Sequence, residues 1–139
     1  MSAPPAERSK VRMASNEQIQ ATIDRYIDAY VQNDKAAFLS LWAADGILED
    51  PVGTPAHVGP EALGAFWDGA REMADRIVLK LEKAVIAGGE AAVTIEINAH
   101  MGEGGLVMPA VDIMRFDDDG LLTSVRAYWD ISTATPLDV

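Results

Sequence analysis

The stretch LVMPAVDIMRFDDDGLLTSVRAYWDI, residues 106–131, decides the fold. It holds two long runs rich in apolar residues on either side of Asp117-Asp118-Asp119-Gly120. Such runs around a glycine-ended polar turn predict two antiparallel strands joined as a hairpin. The pattern also occurs upstream, and the four predicted strands are Ile77 to Ala87, Ala91 to Met101, Leu106 to Phe116 and Leu121 to Ile131.

Helical spacing dominates the first half of the chain. Ser15 and Gln18 match a capping box, and the apolar residues that follow predict a helix over about 16–32. Asp34 can cap a short second helix that runs through Trp42, and Gly59-Pro60 opens a third. Helices followed by hairpins predict an α+β fold, in which a cone-shaped, mainly antiparallel sheet and three helices enclose an apolar pocket.

Composition narrows the class of protein. With 139 residues and 49% hydrophobic content, we expect a single domain over 15–139, preceded by a loose tail over 1–14 that lacks the apolar core of a secretory signal. The net charge of -11 argues against nucleic-acid binding, and the absence of cysteine excludes disulfides and thiolate chemistry. No run approaches the roughly 20 apolar residues that cross a bilayer, so a soluble, cytoplasmic protein is expected.

Asp112 is the least expected polar residue. Residues of equal parity share one face of a strand, and those around it are apolar: Met108, Ala110, Met114 and Phe116. A carboxyl group buried there would keep its proton and become a hydrogen-bond donor at neutral pH. The alternative is a strand aspartate that pairs with an arginine or caps a loop, although Arg115 has the opposite parity.

Asp50 and Tyr26 are the other two candidates. Asp50 ends a brief extended segment, 46–50, which Pro51 terminates, so its carboxylate could stay ionised near solvent and act as a base. Tyr26 lies on the apolar face of the first helix and is a candidate hydroxyl donor. Each has a plainer explanation, because Asp50 could be a turn residue and Tyr26 a core residue.

A base and two donors are what one particular proton shift requires. Moving a carbon-carbon double bond into conjugation with a ketone needs a group that removes a carbon-bound proton. It also needs donors that stabilise the negative charge appearing on the ketone oxygen. Together, the three residues therefore favour an enzyme that moves a proton next to a carbonyl.

The segments around these residues resemble the motifs of the bacterial ketosteroid isomerases, also called 3-oxo-Δ5-steroid isomerases or steroid delta-isomerases. The similarity covers about residues 16–131, and the matching segments are Arg25-Tyr26-Ile27, Glu49-Asp50-Pro51-Val52-Gly53, Val111-Asp112-Ile113-Met114-Arg115-Phe116-Asp117 and Ala127-Tyr128-Trp129. The resemblance implies the nuclear transport factor 2-like fold, a homodimer and no cofactor. It also implies that Asp50 is the base and that Tyr26 and protonated Asp112 form the oxyanion hole. The implied reaction is the isomerisation of 3-oxo-Δ5-steroids to conjugated 3-oxo-Δ4-steroids through a dienolate.

A small apolar ketone such as a steroid would need an apolar pocket. The candidate lining residues, each of which could equally be core, are Trp42, Phe66, Trp67, Met108, Met114, Val125 and Trp129. The chain departs from the family at Trp42 and Trp67, where some members carry two tyrosines around the site tyrosine. An indole N–H donates but cannot accept, so we expect the relayed hydrogen bonds to Tyr26 to be absent or altered.

Two rival interpretations stay open. One is another cofactor-free enzyme of the same fold, such as a polyketide cyclase or a dehydratase, and the other is a non-catalytic module that binds apolar ligands. The rival enzymes commonly use histidines or a second acid, but His57 and His100 are expected to be ordinary surface or edge residues. The two histidines form no recognisable metal motif, so no metal is expected.

Overall fold

The computed structural model describes residues 13–137. Residues 1–12 of the predicted tail lie outside the described residues, whereas Ala14 is buried in the core. None of the helices within 13–137 has the length and apolar character needed to cross a membrane.

The helices lie close to their predicted positions, and they are α1 (Asn16–Gln32), α2 (Lys35–Ser40) and α3 (Gly59–Met73). The capping box is present, because the Gln18 N–H donates to Ser15 Oγ at 3.1 Å and the Ser15 N–H donates to Gln18 Oε1 at 2.8 Å. Asp34 caps α2 by accepting the Ala37 N–H at 3.0 Å. These side chains satisfy backbone donors that a helix start leaves unpaired, which explains why both helices begin there.

The strands within the described residues form one sheet, and they are β1 (Trp42–Glu49), β2 (His57–Val58), β3 (Arg76–Ala87), β4 (Glu90–Met101), β5 (Gly104–Phe116), β6 (Leu122–Tyr128) and β7 (Thr135–Pro136). The order across the sheet is β2-β1-β6-β5-β4-β3, with β7 also paired to β5. The predicted meander β3 to β6 is antiparallel throughout, and β1 joins it by pairing parallel to β6. The predicted α+β fold is therefore confirmed.

The largest differences from the prediction are at the start of the first strand, predicted at 46 and observed at Trp42, and at the end of the fourth long strand. Trp42 does not belong to the second helix but starts β1, because the Leu122 N–H donates to the Leu41 carbonyl at 2.8 Å and draws the chain onto β6. The fourth long strand ends at Tyr128, because Asp130 accepts the Ser132 N–H at 2.9 Å and caps a 3-10 helix over Ile131–Thr133.

The sheet curves around one apolar core. Its pairing shifts register between Leu81 and Lys83 and again between Arg115 and Phe116, and such bulges bend a strand and strengthen its twist. The helices cover the concave side, where the core residues with the lowest exposure come from both layers: Ile19, Ile23, Phe38, Leu48, Leu63, Val93, Met114, Leu122 and Val125. One end of this concave side stays open as a cavity.

Candidate active site

The cavity lies between the concave face of the sheet and the helices α1 and α3. Its volume is about 610 Å³, within the range of roughly 300–1,000 Å³ typical of small-molecule sites. Its wall is mostly apolar, with residues from β3, β4, β5 and β6 that include Leu79, Ile95, Ile97, Met108 and Ala127. The wall of this cavity holds Tyr26, Asp50 and Asp112, so the structure brings together all three residues singled out in the sequence.

Asp112 lies in the middle of β5, opposite Val93 on β4 and Ala127 on β6. It is 3% exposed, so the burial predicted from strand parity is confirmed. Arg115 lies on the other face and pairs there with Glu90 at 3.3 Å. Burial, and secondarily the charge of Asp50, raises the pKa of Asp112 well above its ordinary value, which favours the protonated form that can donate a hydrogen bond.

Asp50 follows β1 directly and is half-buried. The Trp129 indole Nε1–H donates to Asp50 Oδ1 at 2.6 Å. Burial raises the pKa of Asp50 to about 6, and the Trp129 hydrogen bond opposes that rise because it stabilises the ionised form. Asp50 is therefore mostly a carboxylate at pH 7 and can still accept a proton from a weak carbon acid.

Tyr26 lies on the buried face of α1, where its ring packs against Tyr30 and Phe38 with centroid distances of 5.4 and 5.8 Å. Burial, followed by Tyr30 and then by Asp112 and Asp50, raises the pKa of Tyr26 well above its ordinary value. The phenol therefore remains a neutral donor at every pH at which the protein would work.

Tyr30 is a site residue that the sequence argument missed. It lines the cavity one helical turn after Tyr26, its ring lies 5.4 Å from the Tyr26 ring, and the hydrogen bond between the two phenols raises the pKa of Tyr26. Burial, and then the charge of Asp50, raises its pKa strongly. The four-residue spacing on one helix face was the signal that could have found it.

Among the described residues, neither Trp42 nor Trp67 makes a hydrogen bond to Tyr26. Trp67 stacks on the Tyr30 ring at a centroid distance of 4.9 Å. The Trp42 indole N–H is buried and has no hydrogen-bond partner among residues 13–137. Neither indole replaces a phenol, and the phenol beside Tyr26 comes from Tyr30 instead.

Three of the predicted pocket residues, Phe66, Met108 and Trp129, line the cavity. The other four lie outside its wall and belong to the core: Trp42, Trp67, Met114 and Val125. Met114 and Val125 face each other across β5 and β6, beyond Asp112 along the strand, and are fully buried. The two tryptophans pack against Phe38. For these four residues the structure favours the core alternative.

The histidines differ in their placement. His57 lines the cavity and stacks against Phe66 with a centroid distance of 5.1 Å, so the expectation that it is an ordinary surface residue was wrong. His100 has even parity on β4, whereas the cavity-lining residues Ile95, Ile97, Ala99 and Met101 have odd parity. His100 therefore lies on the opposite face of the sheet.

The wall becomes less buried toward Met73 and Met101, which are 80% and 38% exposed and mark the entrance. Tyr26 and Asp112, by contrast, are nearly inaccessible and mark the deep end. An apolar molecule carrying one polar acceptor would therefore place that acceptor against Tyr26 and Asp112.

The carboxylate beside Asp50 has a different environment. Glu49 Oε2 accepts the Gly53 N–H at 3.0 Å, and Glu49 Oε1 lies 3.3 Å from Arg126 Nε. The Gly53 hydrogen bond, followed by that of Arg126, lowers the pKa of Glu49. Glu49 therefore holds the turn after Asp50 and lies outside the cavity wall.

The chemical capability of the site follows from these ionisation states. Asp50 can remove a proton, while neutral Tyr26 and Asp112 can donate to an oxygen on which negative charge develops. Because the surroundings are apolar, those hydrogen bonds are stronger than they would be in water.

Known proteins resemble this chain in sequence. A family model described as a SnoaL-like domain matches residues 23–125. A steroid Delta-isomerase from Nocardioides simplex is 35% identical over 112 residues, which are 81% of this chain and 89% of that protein.

Solved structures share the fold at lower identity. The epoxide hydrolase/cyclase-like enzyme SalBIII, which has a role in pyran ring formation in the polyether salinomycin, superimposes with a TM-score of 0.79 at 17% identity, over 88% of this chain and 98% of that chain. RV0760c from Mycobacterium tuberculosis, in complex with estradiol-17beta-hemisuccinate, has a TM-score of 0.76 at 24% identity, over 85% of this chain and 98% of that chain. These two likenesses establish the shared architecture.

Proposed function

The chain belongs to the SnoaL-like domain family and is related over most of its length to a steroid Delta-isomerase, and on that premise we propose that it is itself a steroid delta-isomerase. It would convert 3-oxo-Δ5-steroids to the conjugated 3-oxo-Δ4-steroids. The observation that carries the proposal is that two acids in different environments line one apolar cavity with Tyr26. Asp50, with a pKa of about 6, faces the same space as Asp112, which is more deeply buried and whose pKa is raised well above its ordinary value.

The proposed reaction needs only these groups. Asp50 takes the proton from the carbon between the ketone and the double bond; the electron pair of that C–H bond forms a carbon-carbon double bond to the carbonyl carbon, and the π pair of the C=O bond moves onto the oxygen to give a dienolate. Tyr26 and Asp112 donate hydrogen bonds to that oxygen. Asp50 then returns the proton two carbons further along, so the double bond ends in conjugation and the enzyme is regenerated without a cofactor.

The apolar wall supports a largely hydrocarbon substrate. Phe66, Met108 and Trp129 are placed to contact its rings, and the deep polar end is placed to contact its ketone. The net charge of -11 does not oppose a neutral ligand, whose affinity would come from burial of apolar surface. RV0760c, which shares this fold, has been solved with a steroid ester.

The proposal includes a homodimer. Apolar side chains are exposed on the convex face of the sheet, where Val111 and Tyr128 are 36% and 42% exposed and pair across β5 and β6. A second copy covering this face would remove that surface from water. Light scattering after size-exclusion chromatography should give twice the chain mass, and a single-chain mass would contradict this part.

The decisive experiment follows 5-androstene-3,17-dione by the ultraviolet absorbance of the conjugated enone. Substrate labelled with deuterium at the abstracted position should yield product that keeps much of the label two carbons away, because one carboxyl group collects and delivers the proton. Complete loss of the label to water would contradict a single shuttling base.

The same assay separates the rivals. A non-catalytic module would bind the steroid without producing the enone, and a cyclase or dehydratase of this family would leave the double bond in place. The observation that favours the isomerase over the cyclase is 35% identity to the isomerase against 17% to SalBIII.

A further inference from the structure

Arg71 on α3 lies beside the cavity wall in an unusual environment. Its Cζ is 3.9 Å from the centroid of the Trp67 ring and 5.5 Å from that of Tyr30. Its Nε–H donates to Asn33 Oδ1 at 2.5 Å, whereas its two terminal nitrogens are buried and have no hydrogen-bond partner among the described residues. The guanidinium group therefore directs its charge at two aromatic faces rather than at a carboxylate.

A purely structural role explains only part of this arrangement. The bond to Asn33 ties α3 to the left-handed residue that ends α1, where φ is 53°. That bond needs one nitrogen and could be made by a neutral donor. Burying the rest of a guanidinium without partners is unfavourable, and burial lowers the pKa of Arg71, although an arginine stays charged in a protein. The charge itself therefore calls for an explanation.

The second observation is the contact of Arg71 with the phenol beside the oxyanion donor. The Tyr30 ring lies 5.5 Å from Arg71 Cζ and 5.4 Å from the Tyr26 ring, and a hydrogen bond between the two phenols lowers the pKa of Tyr30 and raises that of Tyr26. A cation over an aromatic face favours electron density in that ring, and this makes the phenol a stronger hydrogen-bond donor. The carboxylate of Asp50 acts on Tyr30 in the opposite direction.

The balance of these charges changes during the proposed reaction. When Asp50 accepts the proton, its negative charge is lost and reappears on the substrate oxygen beside Tyr26. Arg71 keeps its charge throughout, so its effect on Tyr30 is then no longer opposed by Asp50. The arrangement thus favours the dienolate over the bound ketone, which is the condition for an interaction to accelerate the reaction.

We propose that Arg71 is a positioning residue that acts through Tyr30: once Tyr26 donates its hydrogen to the substrate oxygen, the charge of Arg71 strengthens donation from the Tyr30 phenol to the Tyr26 oxygen. The inference rests on the proposed isomerase function. It assigns a role to a cation that touches neither substrate nor reacting atoms.

The test uses equilenin, a phenolic steroid whose ionised and neutral forms differ in ultraviolet absorption and fluorescence. The ionised fraction of bound equilenin reports how well the site stabilises an oxyanion. We would measure it together with kcat and KM for the wild type and for Arg71→Met, Arg71→Lys, Tyr30→Phe and the Tyr30→Phe/Arg71→Met double variant. Lys35→Met is the matched control, because Lys35 pairs with Asp68 on α3 but contacts no ring described for this site.

Arg71→Met should lower kcat about fivefold to tenfold with KM within about twofold, and it should reduce the ionised fraction of equilenin. Arg71→Lys should recover most of that fraction because it keeps the charge. In the Tyr30→Phe background the Arg71→Met change should have less than about a twofold effect, as expected for residues that act in series. Lys35→Met should resemble the wild type.

Several results would overturn the inference. An Arg71→Met effect of equal size with and without Tyr30 would show that the charge does not act through the phenol. A loss of thermal stability with an unchanged ionised fraction would assign Arg71 to structure alone. A wild-type protein that neither isomerises the steroid nor binds equilenin would remove the proposed function and this inference with it, whereas an active wild type with an unaffected Arg71→Met variant would remove only the inference.

Discussion

The rim of the sheet and the interior of the cavity shift the pKa values of two neighbouring carboxyl groups in opposite directions. At the rim, Glu49 accepts a backbone N–H and faces Arg126, and its pKa is lowered. One residue later, Asp50 faces the cavity, receives a single hydrogen bond from residues 13–137, that of the Trp129 indole N–H, and its pKa is raised to about 6. Access to water and the number of donors differ between the two, and these differences separate a carboxylate that holds a turn from one that can exchange a proton.

Asp112 extends this comparison deeper into the molecule. It is more buried than Asp50 and no hydrogen bond from the described residues to its carboxyl group offsets the loss of hydration, so its pKa rises further. Three acids of similar intrinsic acidity are thus graded by depth. Depth raises the pKa of Asp50 and Asp112, whereas hydrogen bonds from Gly53 and Arg126 lower that of Glu49.

The largest effect should come from Asp50→Asn. An amide cannot take the proton, so kcat should fall by about 10²- to 10⁴-fold, the contribution typical of a placed base. Steady-state assay of the steroid measures it. Asp45→Asn makes the same charge change at an exposed position of β1 and should leave kcat within about twofold. Near-normal turnover by Asp50→Asn would contradict the assignment of the base.

Asp112→Leu removes a donor to the developing oxyanion, and kcat should fall by about 10²- to 10³-fold. Asp112→Asn keeps an N–H donor in nearly the same shape and should lose less. The difference between the two variants, measured at one pH with equal substrate saturation, reports the hydrogen bond rather than the packing. Equal activities for leucine and aspartate at this position would refute a donor role.

Burial of the Asp50 carboxylate should lower the free energy of unfolding at high pH. Its pKa is about 6 in the folded protein and about 3.8 in an unfolded chain, so the folded state binds the proton more tightly. The stability linked to that proton is fully present below about pH 4 and is lost as the pH rises through about 6. Asp50→Asn should therefore be more stable than the wild type at pH 8 by about 2 to 3 kcal/mol.

Urea unfolding at pH 8, 6 and 4 would test this sign. The difference between variant and wild type should shrink as the pH falls, because protonated Asp50 and asparagine are both neutral. A difference that is independent of pH would mean that the substitution acts through packing instead.

Trp129→Phe should shift the pH dependence of the reaction. The indole N–H lowers the pKa of Asp50, so its loss should move the midpoint of the kcat/KM profile upward from about 6. Activity should consequently fall more at pH 6 than at pH 8. Tyr128→Phe is the control, because its hydroxyl group accepts from Arg126 away from the cavity, and its midpoint should stay unchanged.

The smallest effect on turnover should come from a substitution at the rim of the sheet. Arg126→Met removes the side-chain partner of Glu49 and should raise the pKa of Glu49 toward its ordinary value. Turnover should change by less than about twofold, since exposed ion pairs contribute little. Carboxyl carbon chemical shifts followed by NMR would give the pKa. A large loss of turnover would contradict this prediction, because it would show that the ion pair at the rim affects the catalytic groups in the cavity.

The regular parts of the fold were predictable because their signals are local. The capping box at Ser15, the Asp34 cap and the meander of long strands all follow from residues close together in sequence. The parallel pairing of β1 with β6 was not, since no local pattern encodes a partner some 80 residues away. Trp42 was placed in a helix for the same reason.

The candidate site was partly predictable. Strand parity placed Asp112 on the inner face, but parity does not give depth, and Met108 and Met114 share that face while only Met108 reaches the cavity. Tyr26 and Asp50 were joined to Asp112 by the resemblance and not by their own patterns. Tyr30 was overlooked because a tyrosine on an amphipathic helix looks like ordinary packing until its neighbours are known.

The exposed methionines at the entrance determine where the protein can be selective. A methionine side chain has three rotatable bonds and forms no strongly directional hydrogen bonds, so the exposed Met73 can adopt different rotamers against ligands of different shape. Discrimination between substrates by the proposed enzyme would therefore be concentrated at the deep end of the cavity, where the ketone oxygen would contact Tyr26 and Asp112. With an adaptable entrance and a fixed polar end, the proposed site would accept steroids with different ring substituents but would bind the ketone in a single orientation.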